Sequence, residues 1–256
     1  MAASRSSQPR DAYWVCCSAR SGSSLLCQIL AATGVAGRPD EYFFEDNMPC
    51  RAKPWGMASR WGLTDFDAYV ARAFEEGTTP NGWFGVKMAP GLYLDRFVGE
   101  VRKLPEYADP ELSQQDLVHQ FFPDLRFVYL TRRDKLRQAI SWLKATEHNL
   151  WTSEQEPEPQ GTPRYDFAKI DAQITLFGLI ETLWQQLFSE WGVRPLTLVY
   201  EDFEHDHEAT AATVLDHLGI DDPYEYDPGA VSLERLADDL TEEWAARYLR
   251  EKQWAP

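Results

Sequence analysis

The sequence predicts an α/β fold, a mainly parallel sheet with helices on both faces, from three observations. Short apolar and aromatic runs alternate with longer segments of helical period, the pattern of repeated strand–helix units. The clearest strand, LRFVYLTRR (residues 125–133), runs straight into the helix DKLRQAISWLKATEH (134–148). AYWVCCS (12–18) passes through a turn of small residues into SSLLCQILAATG (23–34).

In chain order, residues 12–18 read as a buried strand. Residues 23–34 read as a helix with serines at its start and Gly34 as its stop. GRPDEYFFEDNMPCRAKPW (37–55) is irregular, aromatic and acidic, and LTDFDAYVARAFEEG (63–77) is an amphipathic helix begun at Thr64 or Asp65. WFGVKM (83–88) is a second strand, 91–103 a helix, and LPEYADPELSQQD (104–116) a polar surface loop. After the 125–133 strand and its helix, TSEQEPEPQGTPR (152–164) has the composition of a flexible loop. A long helix over 166–191 precedes the strand PLTLVYEDF (195–203); helices over 207–220 and 240–254 follow. No linker divides the chain, so residues 1–12 are read as a flexible N-terminus and 13–256 as a single domain.

Composition narrows the function. With 41 Asp+Glu against 25 Lys+Arg the formal charge is −16, which argues against nonspecific attraction to nucleic acid or an anionic membrane. Any anionic ligand must then be held by a local cluster. No apolar run approaches the ~20 residues of a membrane span, and the first residues lack the apolar stretch of a signal peptide, so the expected location is cytoplasmic without stable membrane insertion. Cys16, Cys17, Cys27 and Cys50 form no CxxC pair and read as reduced core thiols, Cys16 and Cys17 pointing to opposite sheet faces. His205 and His207 have poor spacing for one helical face, so no metal site is expected.

A turn of small residues between a strand and a helix exposes backbone N–H groups at the positive end of the helix dipole, where phosphate binds. The segment Ser-Ala-Arg-Ser-Gly-Ser-Ser (18–24) is therefore P-loop-like, but it is not a Walker A loop. Registered on Gly22, Cys17 stands where the first Gly belongs and Ser23 where the Lys belongs; Arg20 restores one positive charge. A second feature lies downstream: Arg133 ends a strand and Ser141 follows eight residues later, about two helical turns on. Open α/β sheets bind ligands at such strand ends, so both loops can face one cleft.

On these residues the chain resembles the sulfotransferases, and specifically the bacterial trehalose 2-sulfotransferase family. RSGSS (20–24), Arg133 with Ser141, GRPDEYFF (37–44), GVKM (85–88), the helix region through Trp151, the strand ending at Tyr200 and LERLADDLTEEW (233–244) match the family in order and spacing. The resemblance implies a sulfotransferase fold and a co-substrate, 3′-phosphoadenosine-5′-phosphosulfate, with no metal. It implies that Ala19, Arg20, Ser21, Gly22, Ser23 and Ser24 cradle the 5′-phosphosulfate and that Arg133 and Ser141 hold the 3′-phosphate, with Arg235 a further candidate there. A guanidinium suits the role because its planar fork donates two hydrogen bonds to one phosphate.

The family's catalytic glutamate falls at Glu41, which implies a general base for an acceptor hydroxyl, with Arg20 stabilising charge on the leaving nucleotide. A sulfuryl group carries less charge than a terminal phosphoryl group, so its transfer needs no metal to neutralise it. Tyr42, Phe43, Phe44 and Trp55 lie near Glu41 in sequence; their flat faces suit a sugar or another hydroxylated small molecule, including a glycolipid. Ala19 stands where the trehalose enzymes carry Gln, and Arg38 where they carry an acidic residue, so the acceptor is left open. The family also implies a homodimer. Two other classes are weighed: a P-loop kinase or nucleotide hydrolase, which needs the missing lysine and a magnesium-holding acid, and a nucleotide-binding module without turnover.

Overall fold

In the computed structural model, residues 8–45, 47–59, 62–122, 124–148, 163–232 and 238–253 are described. Arg235, Trp151 and residues 152–162 of the polar stretch lie outside them.

Among the described residues the main sheet has four strands, all parallel: β1 (Asp11–Cys16), β4 (Trp83–Met88), β5 (Arg126–Thr131) and β6 (Leu196–Val199), in the order β4-β1-β5-β6. β1 lies between β4 and β5, and from Ala12 onward it is wholly buried, which explains its run of apolar side chains without polar alternation. Its side chains divide by parity. Ala12, Trp14 and Cys16 enter one core with α3 (Phe66–Gly77), α4 (Leu92–Val101), α5 (Gln114–Phe121) and the C-terminal part of α7 (Phe167–Glu190). Tyr13, Val15 and Cys17 enter the other, with α1 (Ser23–Ala31) and α9 (His207–Leu218). A third apolar cluster joins α6 (Lys135–His148), α7 and α10 (Asp239–Lys252). Helices thus cover both faces, and the two adjacent cysteines point to opposite cores as the strand period requires. Cys50, by contrast, is exposed, because it sits on the one-turn helix α2 (Met48–Ala52) at the surface and not in a core.

Four boundaries differ from expectation. The chain is anchored before residue 13: Asp11 is already paired with Trp83, and Gln8 Nε2 donates to Phe121 O at 3.3 Å. Residues 114–121, where a polar loop was expected to run on to 116, form α5; Ser113 accepts from Asp116 N–H at 3.1 Å and Leu117, Val118 and Phe121 face the core. Residues 200–203 leave the strand as the short helix α8 (Tyr200–Phe203), where Glu201 accepts from the backbone N–H groups of Arg133 and Asp134 at 3.0 Å each. Finally, β2 (Ala58–Ser59) and β3 (Gly62–Leu63) pair as a small antiparallel ribbon between the irregular 37–55 stretch and the helix, where the sequence predicts no strand and the helical segment 63–77 begins.

Candidate active site

The turn from Cys17 to Gly22 connects β1 to α1 at the carboxyl end of the sheet. Arg20 is left-handed (φ 60°), as is Gly22 (φ 91°), which precedes the helix. A Cβ at Gly22 would collide with the Tyr200 ring, so α8 packs directly on the loop backbone only because that residue is glycine. The first turn of α1 holds no acidic residue and its cap makes no side-chain hydrogen bond, so its dipole favours an anion from outside the helix.

The side chains around the turn come from several elements. Arg20 Nε donates to Ser141 Oγ of α6 at 2.9 Å, and Gln138 of the same helix donates to Ser18 Oγ at 2.9 Å and Ala19 O at 2.8 Å. Arg132, which follows β5, donates from Nη1 to Arg20 O at 3.1 Å and lies over the Tyr200 ring at 4.7 Å. Trp184 of α7 donates to Cys17 O at 3.1 Å. Burial, and next the neighbouring charge of Arg132, depress the Arg20 guanidinium pKa. Two mutually repelling guanidiniums beside an uncapped helix start fit the phosphate end of a nucleotide.

Glu41 reaches this turn by way of β4. Asp40 forms a single parallel bridge with Val86, and Lys87 N–H donates to Asp40 O at 3.0 Å. Gly37 (φ 70°) permits the approach, since a Cβ there would lie 2.8 Å from Gly85 N and 2.9 Å from Trp83 O. Lys87 Nζ then stands 2.5 Å from Glu41 Oε1 and donates to Ser24 Oγ, on the first turn of α1, at 3.4 Å. The other carboxylate oxygen of Glu41 accepts from Asn47 Nδ2 at 2.5 Å. Burial works against the charge on Lys87, but Glu41, with smaller contributions from Cys17 and Cys27, carries its pKa above the ordinary lysine value. A charged lysine therefore joins the carboxylate to the turn between β1 and α1.

The remaining candidates divide. Ser141 is in the cluster, but its hydroxyl is engaged by Arg20 and not by Arg133, whose side chain is 59% exposed and paired with Asp202. Tyr42 and Phe43 are core residues, a correction to their reading as acceptor contacts. Phe43 packs among Phe97, Phe121 and Phe122, while the Tyr42 hydroxyl donates to Arg38 O at 3.0 Å. Phe44 is half-buried against Tyr93, their centroids 5.0 Å apart. Trp55 lines an open cleft of about 470 Å³ with Asn47, Cys50, Arg51, Pro54 and Glu76, and exposed Arg38 donates to Glu76 O at 2.9 Å. Sequence reasoning missed Lys87, Arg132, Gln138, Asn47 and Trp184 as site residues. Lys87 alone carried a usable signal, a lysine at the carboxyl end of a parallel strand; the others enter only through tertiary contact.

Comparison with known proteins agrees with this geometry. A model of the Stf0 sulphotransferase family matches residues 12–251. The chain is 29% identical to a trehalose 2-sulfotransferase of Mycolicibacterium smegmatis, over 94% of this chain and 96% of the relative. It is 28% identical to a trehalose 2-sulfotransferase of Mycobacterium tuberculosis, over 93% and 94%. In fold it resembles the crystal structure of a sulfotransferase from Alicyclobacillus acidocaldarius, with a TM-score of 0.50 at 16% identity over 94% of this chain and 92% of that one. A match spanning nearly the whole chain assigns the activity: the chain is an enzyme, a sulfotransferase, and belongs to the Stf0 sulphotransferase family.

Proposed function

We propose that this sulfotransferase takes its sulfuryl group from 3′-phosphoadenosine-5′-phosphosulfate and delivers it to a hydroxyl of a neutral sugar, with Glu41 as general base. The observation that carries the reading is the Glu41–Lys87–Ser24 connection, which puts a carboxylate beside an anion-binding turn. Bound at that turn, the nucleotide supplies an activated sulfuryl group and a stable anionic leaving group. The chain's own residues do the rest. Ala19 to Ser24 line the cradle, where backbone N–H groups and Arg20 take up charge that grows on the phosphate side. Glu41 accepts the proton of the acceptor hydroxyl, and Asn47 and Lys87 hold its two oxygens in place.

Arg133 is assigned to the 3′-phosphate with Ser141. Its guanidinium must leave Asp202 to do so, a small cost because the pair is exposed and screened by solvent. The open cleft is assigned to the acceptor. Trp55 offers a flat face, Asn47 touches both the cleft and Glu41, and the charges of Arg51 and Glu76 are offset by Asp40 and Arg72, which favours a neutral polyhydroxylated ligand. Two further parts of the reading are a homodimer, for which exposed Leu176 and Leu179 on α7 offer an apolar face, and a cytoplasmic location. Among the described residues no helix is long and apolar enough to cross a membrane.

The deciding experiment is a calorimetric titration with adenosine 3′,5′-bisphosphate against ATP·Mg, followed by mass spectrometry of trehalose and other sugars for gain of one sulfuryl group. Tighter binding of ATP·Mg would overturn the donor assignment, and transfer only to uncharged non-sugar hydroxyls would overturn the acceptor class. Sedimentation tests the dimer.

A further inference from the structure

Four consecutive carbonyl groups in the loop after β1 each accept from a side chain. Cys17 O accepts from Trp184 Nε1 at 3.1 Å, Ser18 O from Ser21 Oγ at 2.8 Å, Ala19 O from Gln138 Nε2 at 2.8 Å and Arg20 O from Arg132 Nη1 at 3.1 Å. A trans peptide plane carries its N–H opposite its C=O, so tying the carbonyls of residues 17–20 fixes the direction of the N–H groups of residues 18–21. Arg20 sits in this stretch in a left-handed conformation that a side-chain-bearing residue rarely holds unaided.

We propose that these donors form a clamp on the carbonyl side of the loop and that Gln138 is its central positioning residue, orienting the N–H groups toward the donor's phosphate; the proposal rests on the donor-site reading of this loop. Gln138 is 0% exposed, and its amide nitrogen spans Ser18 Oγ and Ala19 O. Its amide oxygen is buried and has no hydrogen-bond partner among the described residues. An apolar side chain of similar length would carry no such unpaired oxygen, so the position has use for the amide's donors. One turn further along the same face of α6, Ser141 accepts from Arg20 Nε, so a single helix holds both the backbone and the arginine of the loop. A loop ordered at folding does not have to be ordered again at binding.

The test uses the full chain in two measurements: NMR order parameters of the backbone amides of residues 18–21 without ligand, and calorimetric titration with adenosine 3′,5′-bisphosphate. Wild type is expected near the rigid value of about 0.85, and Gln138→Leu below about 0.6 with nucleotide affinity reduced about tenfold. Gln138→Glu supplies a signature that packing damage does not: a carboxylate cannot donate, but a protonated carboxyl can. Its affinity relative to wild type should therefore recover as the pH is lowered. Arg20 and Arg132 beside it, and Asp134 and Arg137 at the start of α6, keep their charges over the range from about pH 8 to 5. If Gln138→Leu does not fold, Trp184→Phe, which deletes one N–H and keeps a ring, replaces it, with the loss of order centred on Ser18. Wild-type order parameters and affinity in the folded variant overturn the clamp, as does a pH-independent deficit in Gln138→Glu. Failure of the wild type to bind the nucleotide overturns the donor assignment instead and leaves the order parameters to decide the clamp.

Discussion

Between Cys17 and Arg20 the loop carbonyls are held by side chains from α6, α7, the end of β5 and the loop itself, in buried or partly buried surroundings. Between Asp40 and Trp55 the polar contacts are largely among neighbours at the surface: Asn47 on Glu41, Arg51 on Asp40, and Arg96 on Glu45 at 3.0 Å. Buried hydrogen bonds to backbone are costly to lose, whereas exposed ion pairs contribute about 0–1 kcal/mol each. The difference separates two tasks. The loop proposed to hold the nucleotide is built into the core contacts of the sheet, while the segment proposed to face the acceptor can change residue by residue with little effect on the fold. Lys87 is the point where the two sides meet.

The comparison is broken most severely at Glu41. Glu41→Gln keeps shape but loses the charge facing Lys87 and one of the two acceptor oxygens, and it cannot accept a proton, so transfer should fall by a factor of about 10²–10⁴ while nucleotide affinity changes far less and the chain still folds. Turnover at saturating donor, beside a nucleotide titration, measures both; near-normal turnover would pass the base role to Asp40 or Glu45. On the other side, Arg20→Ala should lower turnover by about 10²-fold and ground-state affinity by less, because the charge it faces grows as the sulfuryl group departs. Loss of affinity with normal turnover would make Arg20 a binding residue only.

Arg133 sharpens the contrast because it is a donor-side candidate held by a surface pair. Arg133→Ala should weaken nucleotide binding by about one to two orders of magnitude, the effect of losing a hydrogen bond to a charged group. Asp202→Asn, which frees the guanidinium, should tighten binding by no more than about fivefold. Unchanged affinity in a folded Arg133→Ala variant removes it from the site. The smallest effect is structural. Asp134 accepts from Arg137 N–H at 2.8 Å at the start of α6, and although burial opposes its charge, the Arg137 backbone and side chain hold its carboxyl below the ordinary value. A carboxyl with a depressed folded pKa stabilises above its unfolded pKa of about 3.9, and that stability is lost as pH falls through the folded value. Asp134→Ala should therefore cost about 0.5–2 kcal/mol at neutral pH, and the gap in urea unfolding should close below about pH 4. A gap that persists at low pH would assign the effect to packing.

The sequence alone determined the parallel α/β architecture, because a doubly covered parallel sheet writes its strands as apolar runs and its helices as longer periodic ones; β4 was legible to the residue at WFGVKM. It also located the turn of small residues between β1 and α1 and the family to which the chain belongs, since the matching motifs keep their order. Tertiary structure decided what no local pattern encodes. Tyr42 and Phe43 adjoin Glu41 in sequence and nevertheless turn into the aromatic core, because neighbouring residues on an irregular segment need not share a face. Ser141 went to Arg20 rather than Arg133, because the direction of a guanidinium is set by packing and not by spacing. Gln138, Arg132 and Trp184 stand more than a hundred residues from the loop they hold, and their hydrogen bonds exist only once β5, α6 and α7 have closed around it.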